Sequence, residues 1–403
     1  MIFASFAPNV EADDALLALK QLILPWNWQQ LKKGKDQTKL KDQLEIFFGR
    51  EAILTDSGRN ALYQVLKGYQ FPQDSEIIIQ AFTCSVVPHA ICRARLTPKY
   101  VDIDNNYNFD IKKLKKAISD KTKAIIVQHT FGIPANIQAI KELCEEKNII
   151  LIEDLALSLG LNINDQKAGT FGDSAILSFG SSKVISCSRG GAIITGNSEL
   201  INEIKLAISH TEPDAPLSLI IQNLLQPIIF WTLKPLYNFL KIGKTGLYLC
   251  RKLKLLPTVV NQQEKNCSGN IPSYNLANSL AKIALNQWQK LNRFQKHRQT
   301  ICAIYEKELQ QNPSFGELSL LTYPVIVKNP KNIFKKTQKS DIILDDWYSQ
   351  PIAPKDADQK ACQYQAGLAP NAEAICSKLI TLPTHIGISP KDANNIIQCL
   401  KSG

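Results

Sequence analysis

The stretches IILIED (residues 149–154) and SAILSFGSSK (residues 174–183) are short apolar runs that each end in polar residues. Five similar runs occur elsewhere in the first half of the chain, and amphipathic helical stretches lie between several of them. Strand, crossover helix and strand, repeated in this way, predict a mostly parallel sheet with helices on both faces. The predicted strands are Ala52–Thr55, Glu76–Gln80, Pro98–Val101, Ala124–Gln128, Ile149–Ile152, Ser174–Ser178 and Ala192–Thr195.

The order of these patterns divides the chain into three predicted parts. An N-terminal segment and a large α/β domain occupy residues 1–210, with early helices near Asp13–Leu22 and Leu40–Phe48. Residues 211–268 break the alternation, because the apolar run Leu217–Leu240 is followed by the basic run Lys241–Lys254. We interpret this part as an insertion.

Residues 269–403 are predicted to contain one long linking helix and a small C-terminal α/β domain. The helical period continues over Asn275–Leu309. The expected elements beyond it are strands Leu321–Val327, Asp341–Asp345 and Leu379–Leu382 and a closing helix Pro390–Leu400, with Ser389 able to cap the helix.

The composition excludes a disordered or fibrous protein, since 44% of the 403 residues are hydrophobic and can fill a substantial core. The ten cysteines form no CxxC pair, and no signal peptide is recognisable. We therefore expect reduced thiols, no metal site and a cytoplasmic protein.

The formal net charge of +11 suits an anionic partner, although a solvated basic surface explains it equally well. We find no helix-turn-helix pattern, zinc-ligand spacing or RNA-binding aromatic signature, so nucleic acid is not an expected partner.

The turn Ser57-Gly58-Arg59 follows a predicted strand and opens a helix over Asn60–Leu66. Open α/β sheets bind ligands at the carboxyl ends of their strands, and the N–H groups of a helix N-terminus bind phosphate there. Gly58 allows close backbone approach, and Arg59 could add a charge-assisted hydrogen bond. The alternative is an ordinary strand-to-helix turn with a surface arginine.

Asp154 and Lys183 also follow predicted strands. A carboxylate at the end of a buried strand needs a cation nearby, and a protonated pyridine nitrogen is one such cation. The amine of Lys183 becomes a Schiff-base nucleophile if desolvation lowers its pKa, and Ser178 could bind a phosphate beside it. The alternatives are a helix-capping aspartate and a solvated loop lysine.

Taken in order, these motifs resemble the DegT/DnrJ/EryC1/StrS family of sugar aminotransferases, over about Ala7 to Leu400 apart from the insertion. The other segments that carry the resemblance are Ala81-Phe82-Thr83, Val101-Asp102-Ile103-Asp104, Gly169-Thr170-Phe171-Gly172-Asp173 and Gly190-Gly191.

The resemblance implies a pyridoxal-phosphate (PLP) enzyme of fold type I, with a large domain built on a seven-stranded sheet. Lys183 would hold the cofactor, Asp154 would pair with its ring nitrogen, and Ser178 with the Gly58-Arg59 turn would hold its phosphate. An amino group would pass from an amino acid, glutamate by family likeness, to a keto sugar, expected to be nucleotide-linked, in surface glycan or polysaccharide biosynthesis. A dehydratase branch has histidine in place of the lysine, so Lys183 favours transamination.

The chain departs from the family pattern at several pocket positions. Cys84 stands where an aromatic residue commonly stacks on the cofactor, and Leu157 stands where a glutamine is common. Ser188-Arg189 replaces Gly-Glu, and Ser273-Tyr274-Asn275 replaces Asn-Tyr-Arg. Because the family works as homodimers, Ser273 and Asn275 are expected to approach the partner's site, with Arg59 or Arg189 compensating for the lost charge.

The insertion is apolar but interrupted by polar residues, so we do not predict a membrane-spanning helix. Its 217–254 region could lie against the inner face of an anionic membrane, and the alternative is packing as a lid or dimer contact. The altered pocket also leaves open a non-sugar ketone or aldehyde as acceptor, and an inactive regulatory or membrane-associated scaffold.

Overall fold

The computed structural model describes residues 1–4, 7–211, 213–237, 239–310 and 313–401. Its strands are β1 Ile2–Phe3, β2 Glu51–Thr55, β3 Glu76–Gln80, β4 Thr83–Cys84, β5 Thr97–Val101, β6 Thr122–Gln128, β7 Ile150–Asp154, β8 Asn162–Ile163, β9 Gln166–Lys167, β10 Ser174–Ser178, β11 Gly191–Thr195, β12 Thr322–Ile326, β13 Ile342–Ile343, β14 Ile352–Ala353 and β15 Leu379–Pro383.

The helices are α1 Ala12–Ile23, α2 Lys35–Phe48, α3 Gly58–Gly68, α4 Val86–Arg93, α5 Ile111–Ala117, α6 Ile137–Lys147, α7 Ser198–Thr211, α8 Leu217–Leu233, α9 Ile242–Lys252, α10 Gln262–Lys265, α11 Asn278–Trp288, α12 Leu291–Leu309, α13 Pro330–Lys339, α14 Pro370–Cys376 and α15 Pro390–Lys401. Short 3₁₀ segments occur at Pro25–Gln30, Thr130–Gly132 and Phe239–Lys241.

The seven predicted strands form one sheet in the order β2-β11-β10-β7-β6-β3-β5, so the predicted fold class is confirmed. Strand β11 runs antiparallel to both of its neighbours, while the pairs from β10 through β7, β6 and β3 to β5 are parallel. Six strands therefore present their carboxyl ends at one edge of the sheet.

Alternate residues of β3 show how apolar strands make two cores. Ile77 and Ile79 pack with Leu62 of α3 on one face of the sheet. Ile78 packs with Leu114 of α5 and with side chains of α6 on the other face. Because both faces are covered, the strands are apolar throughout and the polar residues collect at the strand ends.

The C-terminal part contains the antiparallel pair β12–β15, which helices α12, α13 and α15 pack against in one core. The predicted strand Asp341–Asp345 is shorter than expected, because only Ile342–Ile343 pairs with β1. The predicted single helix Asn275–Leu309 is also wrong, since α11 ends at Trp288 and α12 begins at Leu291. Lys290, between them, keeps backbone angles in the right-handed helical region but belongs to neither helix, and its ammonium contacts Asp13 and Asp14.

The segment predicted to be an insertion contains α8, α9 and α10. Residue 238, between α8 and α9, lies outside the described part. Helix α8 contains Pro227 and ends at Leu233, before the predicted limit of Leu240. Phe230, Leu247 and Leu256 form a small core with Ala7. In the described residues, no helix is long and apolar enough to cross a membrane.

Candidate active site

A cavity of about 390 Å³ lies at the carboxyl edge of the sheet. Eight of the predicted site residues line it, although they come from strand ends and loops far apart in sequence. They are Ser57, Gly58, Arg59, Cys84, Asp154, Leu157, Ser178 and Lys183.

Lys183 lies in the loop that connects β10 to β11. Its carbonyl oxygen accepts a 2.6 Å hydrogen bond from the side-chain amide of Asn9, which also donates to the Val184 carbonyl at 2.9 Å. Arg298 donates to the Asn9 side-chain oxygen at 2.9 Å. Burial lowers the pKa of the Lys183 amine below its ordinary value of 10.5, with Cys84 and Asp154 opposing that shift. The loop therefore holds an amine that loses its proton more readily than a solvated lysine.

Asp154 is the last residue of β7, and in the ladder it lies opposite Gln128 of β6 and Ile176 of β10. It is 7% exposed, and its Oδ1 accepts a 2.9 Å hydrogen bond from the Ala156 N–H. Burial raises the pKa of the carboxyl, an effect that the Ala156 hydrogen bond and the Lys183 charge only partly offset. A cation placed in the cavity would favour the ionised form.

The first turn of α3 meets the end of β10 in close backbone contact. Ser57 caps the helix by accepting a hydrogen bond from the Asn60 N–H. A Cβ at Gly58 would lie 2.8 Å from Ser178 Cβ, and a Cβ at Gly191 would lie 2.6 Å from the Gly58 nitrogen. The two glycines thus let the helix N-terminus, whose first N–H groups lack intrahelical acceptors, lie beside Ser178.

The arginine side chains near this turn are engaged by carboxylates. Arg59 forms an ion pair with the buried Glu264 and donates to the Val259 carbonyl at 2.6 Å. Arg189 forms an ion pair with Asp56. The phosphate-binding potential of the turn consequently depends on backbone N–H groups and hydroxyls more than on free guanidinium charge.

Ser273 and Asn275 are not among the residues that line the cavity. The Ser273 hydroxyl accepts a 3.0 Å hydrogen bond from Arg93. The Asn275 backbone donates to the Pro213 carbonyl and forms a bridge with Asp214. Within one chain, these two residues therefore lie outside the group that the structure brings together.

Several cavity residues were not predicted from the sequence. Arg298 comes from α12, Tyr348 from the loop before β14, and His385 from the loop before α15. Asn223 and Gln226 come from α8 in the insertion. None of these residues belongs to a local motif, and only the long-range packing of the chain places them at the cavity.

His129 lies at the carboxyl edge of the sheet but does not line the cavity. It follows β6, is fully buried, and its Nδ1 accepts a 3.0 Å hydrogen bond from the Ala135 N–H. Its Nε2 lies 3.5 Å from the carboxylate of Glu153, which itself accepts three backbone N–H groups. This geometry indicates a structural role for His129.

The residues present fit pyridoxal phosphate. The glycine-lined turn beside Ser178 leaves room for a phosphate, because a Cβ at Gly58 would fill the space against Ser178. Asp154 offers a carboxylate for the protonated ring nitrogen, and Lys183 offers an amine with a lowered pKa for the aldehyde. The sheet and this site together define the class of PLP-dependent aminotransferases.

The sequence model of the "DegT/DnrJ/EryC1/StrS aminotransferase family" matches residues 17–215 and 249–401. The chain therefore belongs to that family and is a PLP-dependent aminotransferase, as the motifs predicted. The matched ranges leave out residues 216–248, which contain all of α8.

Individual relatives agree with this assignment. The chain is 23% identical to the GDP-perosamine synthase of Vibrio cholerae, over 88% of this chain and 86% of the relative. It is 33% identical to the UDP-N-acetyl-3-dehydro-alpha-D-glucosamine 3-aminotransferase of Acidithiobacillus ferrooxidans, over 38% of this chain and 42% of the relative. A solved Helicobacter pylori aminotransferase of pseudaminic acid biosynthesis superposes with a TM-score of 0.76 at 21% identity, covering 100% of this chain and 99% of that one.

Proposed function

We propose that this protein transfers an amino group from an amino acid, glutamate, to a keto sugar carried by a nucleotide, in the biosynthesis of a surface glycan or polysaccharide. The observation that carries the proposal is the presence of Lys183 and Asp154 in one cavity, where burial lowers the pKa of the lysine and raises the pKa of the aspartate. The nucleotide sugars that appear in the names of the Vibrio and Acidithiobacillus relatives support the choice of acceptor.

Each residue has a chemical task in this proposal. Bound pyridoxal phosphate supplies an electron sink that stabilises negative charge on a substrate carbon. Lys183 Nζ holds the cofactor between turnovers and moves a proton between the two carbons that exchange it. Asp154 keeps the ring nitrogen protonated, while Ser57, Gly58 and Ser178 hold the phosphate.

Cys84 and Leu157 are proposed to lie against the cofactor ring from the cavity wall. Burial raises the pKa of the Cys84 thiol, so the side chain acts as a neutral, polarizable contact. Leu157 supplies an apolar contact. Neither offers the additional stabilisation, about 0.5–1.5 kcal/mol, that an aromatic pair brings.

Arg298 is the group that we propose meets the donor carboxylate. Among the described residues, three arginines line the cavity, and Arg59 and Arg189 are already paired with carboxylates. Arg298 is 1% exposed, and its Nε and Nη1 have no hydrogen-bond partner in the described part. Burial lowers its pKa to about 10. A buried, unpaired guanidinium is costly unless an anion joins it, and the carboxylate of an amino acid is such an anion.

We further propose a homodimer in which Ser273 and Asn275 approach the partner's site. The support is their position outside the chain's own cavity. Light scattering should give the mass of a dimer. Mixing Lys183→Ala chains with Asn275→Ala chains should then produce hybrid dimers whose activity differs from the average of the two parents, whereas independent sites would give that average.

The segment 211–268 is proposed to be an insertion whose 217–254 region contacts an anionic membrane surface on the cytoplasmic side. No Asp or Glu occurs between Asp214 and Glu264. Helix α9 and the turn after it expose Tyr248, Leu249 and Leu253 at 64%, 49% and 67%. Lys244, Arg251, Lys252 and Lys254 are exposed on the same segment. Apolar side chains among basic ones suit the interface of an anionic bilayer.

Vesicle sedimentation tests the membrane proposal. Binding should be stronger to vesicles containing phosphatidylglycerol than to phosphatidylcholine alone, and should weaken at high salt. Leu249→Glu together with Leu253→Glu should abolish it, whereas Ile46→Glu, at an exposed apolar residue of α2, should not. Equal sedimentation of both variants would contradict a contact through α9.

The proposed transamination is tested by absorbance spectroscopy of the purified protein with added pyridoxal phosphate. The wild type should show the absorbance of cofactor joined to a lysine, and Lys183→Ala should not. Glutamate should then bleach that absorbance. Cofactor absorbance that glutamate leaves unchanged would rule out glutamate as donor, and its absence in the wild type would rule out the proposed role of Lys183.

A further inference from the structure

The insertion contributes directly to the wall of the active-site cavity. Asn223 and Gln226 of α8 line the same cavity as Lys183 and Asp154. They lie in residues 216–248, the part of the chain that the family's sequence model does not match. A wall that the shared pattern lacks can distinguish the substrate of this chain from those of its relatives.

The side-chain oxygens of both residues are buried acceptors without donors. Asn223 is 0% exposed and Gln226 is 4% exposed, and neither Asn223 Oδ1 nor Gln226 Oε1 has a hydrogen-bond partner among the described residues. The Asn223 amide nitrogen donates to the Leu219 carbonyl at 2.7 Å. Because the Leu219 carbonyl can only accept, the nitrogen of the Asn223 amide must face it. The amide oxygen is then the atom left without a partner.

Pro227 removes one intrahelical donor from the same turn of α8. Proline has no N–H, so it cannot donate the intrahelical hydrogen bond to the carbonyl of Asn223, four residues earlier. Buried acceptors that lack donors cost free energy, and proteins usually satisfy them with water or a ligand. The two buried amide oxygens of Asn223 and Gln226, which lack donors among the described residues, therefore suggest a group that supplies them.

The chemistry of this wall favours an uncharged donor. Helix α8 contains no Asp, Glu, Lys or Arg, so it offers neither a counter-charge for a cation nor a positive group for an anion. Hydroxyl and amide N–H groups match carbonyl acceptors without a charge partner. Among the reactants of the proposed function, the nucleotide and the sugar both carry such groups, and the sugar is the part that must reach Lys183 in this same cavity.

We propose that Asn223 and Gln226 accept hydrogen bonds from hydroxyl or amide N–H groups of the acceptor sugar and thereby determine which sugar is aminated. The inference rests on the proposed function, and it assigns to the insertion a part in substrate selection. A site built to bond a polar group discriminates strongly against analogues that lack it, because its own polar atoms are then left unpaired.

The test compares Asn223→Leu and Gln226→Met with the wild type, since both substitutions remove the amide at similar volume. Ser218→Ala, at an exposed residue of the same helix, is the matched control. The forward probe is UDP-N-acetyl-3-dehydro-alpha-D-glucosamine with glutamate as donor. The reverse probe is GDP-perosamine with 2-oxoglutarate. The reaction with glutamate alone, followed by absorbance, reports whether each variant retains a folded site.

We expect kcat/KM for the sugar to fall roughly tenfold or more in each amide variant, with the glutamate reaction changed less than about twofold. Wild-type protein should also bind a deoxy analogue that lacks the contacted hydroxyl more weakly than it binds the sugar. Asn223→Leu and Gln226→Met, which lack the amide, should bind the sugar and the analogue equally. Sugar kinetics that stay at the wild-type level, or that fall in proportion to the glutamate reaction, would overturn the inference. Wild-type protein that reacts with glutamate but with neither sugar would overturn the proposed acceptor class, and the inference with it.

Discussion

Arg59 and Glu264 form an ion pair at the edge of the cavity, although they lie 205 residues apart in sequence. Glu264 is fully buried, and its second oxygen accepts a 2.7 Å hydrogen bond from the Asn261 N–H. The pair joins the turn at the start of α3, which is proposed to bind phosphate, to α10 near the end of the segment 211–268. The residue expected to bind phosphate is thereby also a structural partner of α10.

Glu264→Gln should destabilise the protein, because it removes the anion that compensates a largely buried guanidinium. We expect the free energy of unfolding to fall by roughly 3 kcal/mol, as for other buried pairs that lose one partner. Urea denaturation measures the change. Glu51→Gln, which breaks the exposed pair of Glu51 with Lys205, should cost less than about 1 kcal/mol. Equal losses in the two variants would show that Glu264 contributes no more than a surface charge.

Gly58→Ala should weaken cofactor binding, since its Cβ would lie 2.8 Å from Ser178 Cβ and 3.1 Å from the Leu177 carbonyl oxygen. Relieving this contact requires the helix to move from the strand, at a cost of about 1–3 kcal/mol. We expect at least tenfold weaker binding of pyridoxal phosphate in a fluorescence titration. Gly196→Ala is the control, because nothing lies within 4 Å of its Cβ. Unchanged affinity in Gly58→Ala would remove the turn from the binding site.

The sheet was the part of the structure most accessible to prediction. Ala52–Thr55 and Glu76–Gln80 were located to within one residue because strands with both faces covered are continuous apolar runs. Strand β7 was predicted to end at Ile152 but continues to Asp154. The prediction stopped two residues early because the apolar run ends there and the last two residues are polar. The two-residue strand β14 carries no periodic signal at all.

Predicted residues that local motifs define line one cavity, whereas cavity residues that only tertiary packing brings there were not predicted. Asp154 and Lys183 each follow an apolar strand, so the topology alone brings them to one edge. Glu264 and Asn223 belong to the predicted insertion. No periodic pattern in the sequence indicates that this segment returns to the cavity. The partner of Arg59 could therefore not be read from the sequence.

Asp154→Asn should separate cofactor binding from catalysis. Asparagine retains a side-chain oxygen that can accept the Ala156 N–H, so the end of β7 should keep its geometry. It cannot hold the ring nitrogen in its protonated form, and we expect transamination to fall by about 10²-fold or more. Stopped-flow absorbance with glutamate measures the rate. A variant that binds the cofactor and reacts at the wild-type rate would exclude the proposed role of Asp154.

Arg298→Gln should raise the KM for glutamate at least tenfold, since the carboxylate would lose a charge-assisted hydrogen bond. The cofactor absorbance should persist, because Lys183 remains. Arg293→Gln is the matched control on α12, where an exposed arginine pairs with Glu11. An unchanged KM in Arg298→Gln would place the donor carboxylate elsewhere. A loss of cofactor absorbance that accompanies the rise in KM would indicate that Arg298 acts by holding Asn9 and the Lys183 loop.

His385 should make the protein less stable as the pH falls below about 6.5. Its Nδ1 accepts from the Gly387 N–H at 3.1 Å, so its Nε2 carries the proton donated to the Phe3 carbonyl at 2.8 Å. Burial, with the nearby Lys234 charge, lowers the pKa of His385 to about 3. Because the unfolded chain takes up this proton below about pH 6.5 and the folded chain does so only near pH 3, the unfolded state binds more protons throughout that interval.

Stability contributed by neutral His385 is therefore present above pH 6.5 and lost progressively between pH 6.5 and 3. Between pH 7 and pH 5 the loss should be about 2 kcal/mol, from the 1.36 kcal/mol that each pKa unit represents. Urea denaturation at both pH values measures it. His385→Gln, whose amide can still donate to the Phe3 carbonyl, should show a correspondingly smaller difference between the two pH values. If the variant and the wild type lose the same free energy over this interval, other groups are responsible for the acid sensitivity and His385 is not titrating between its folded and unfolded pKa values.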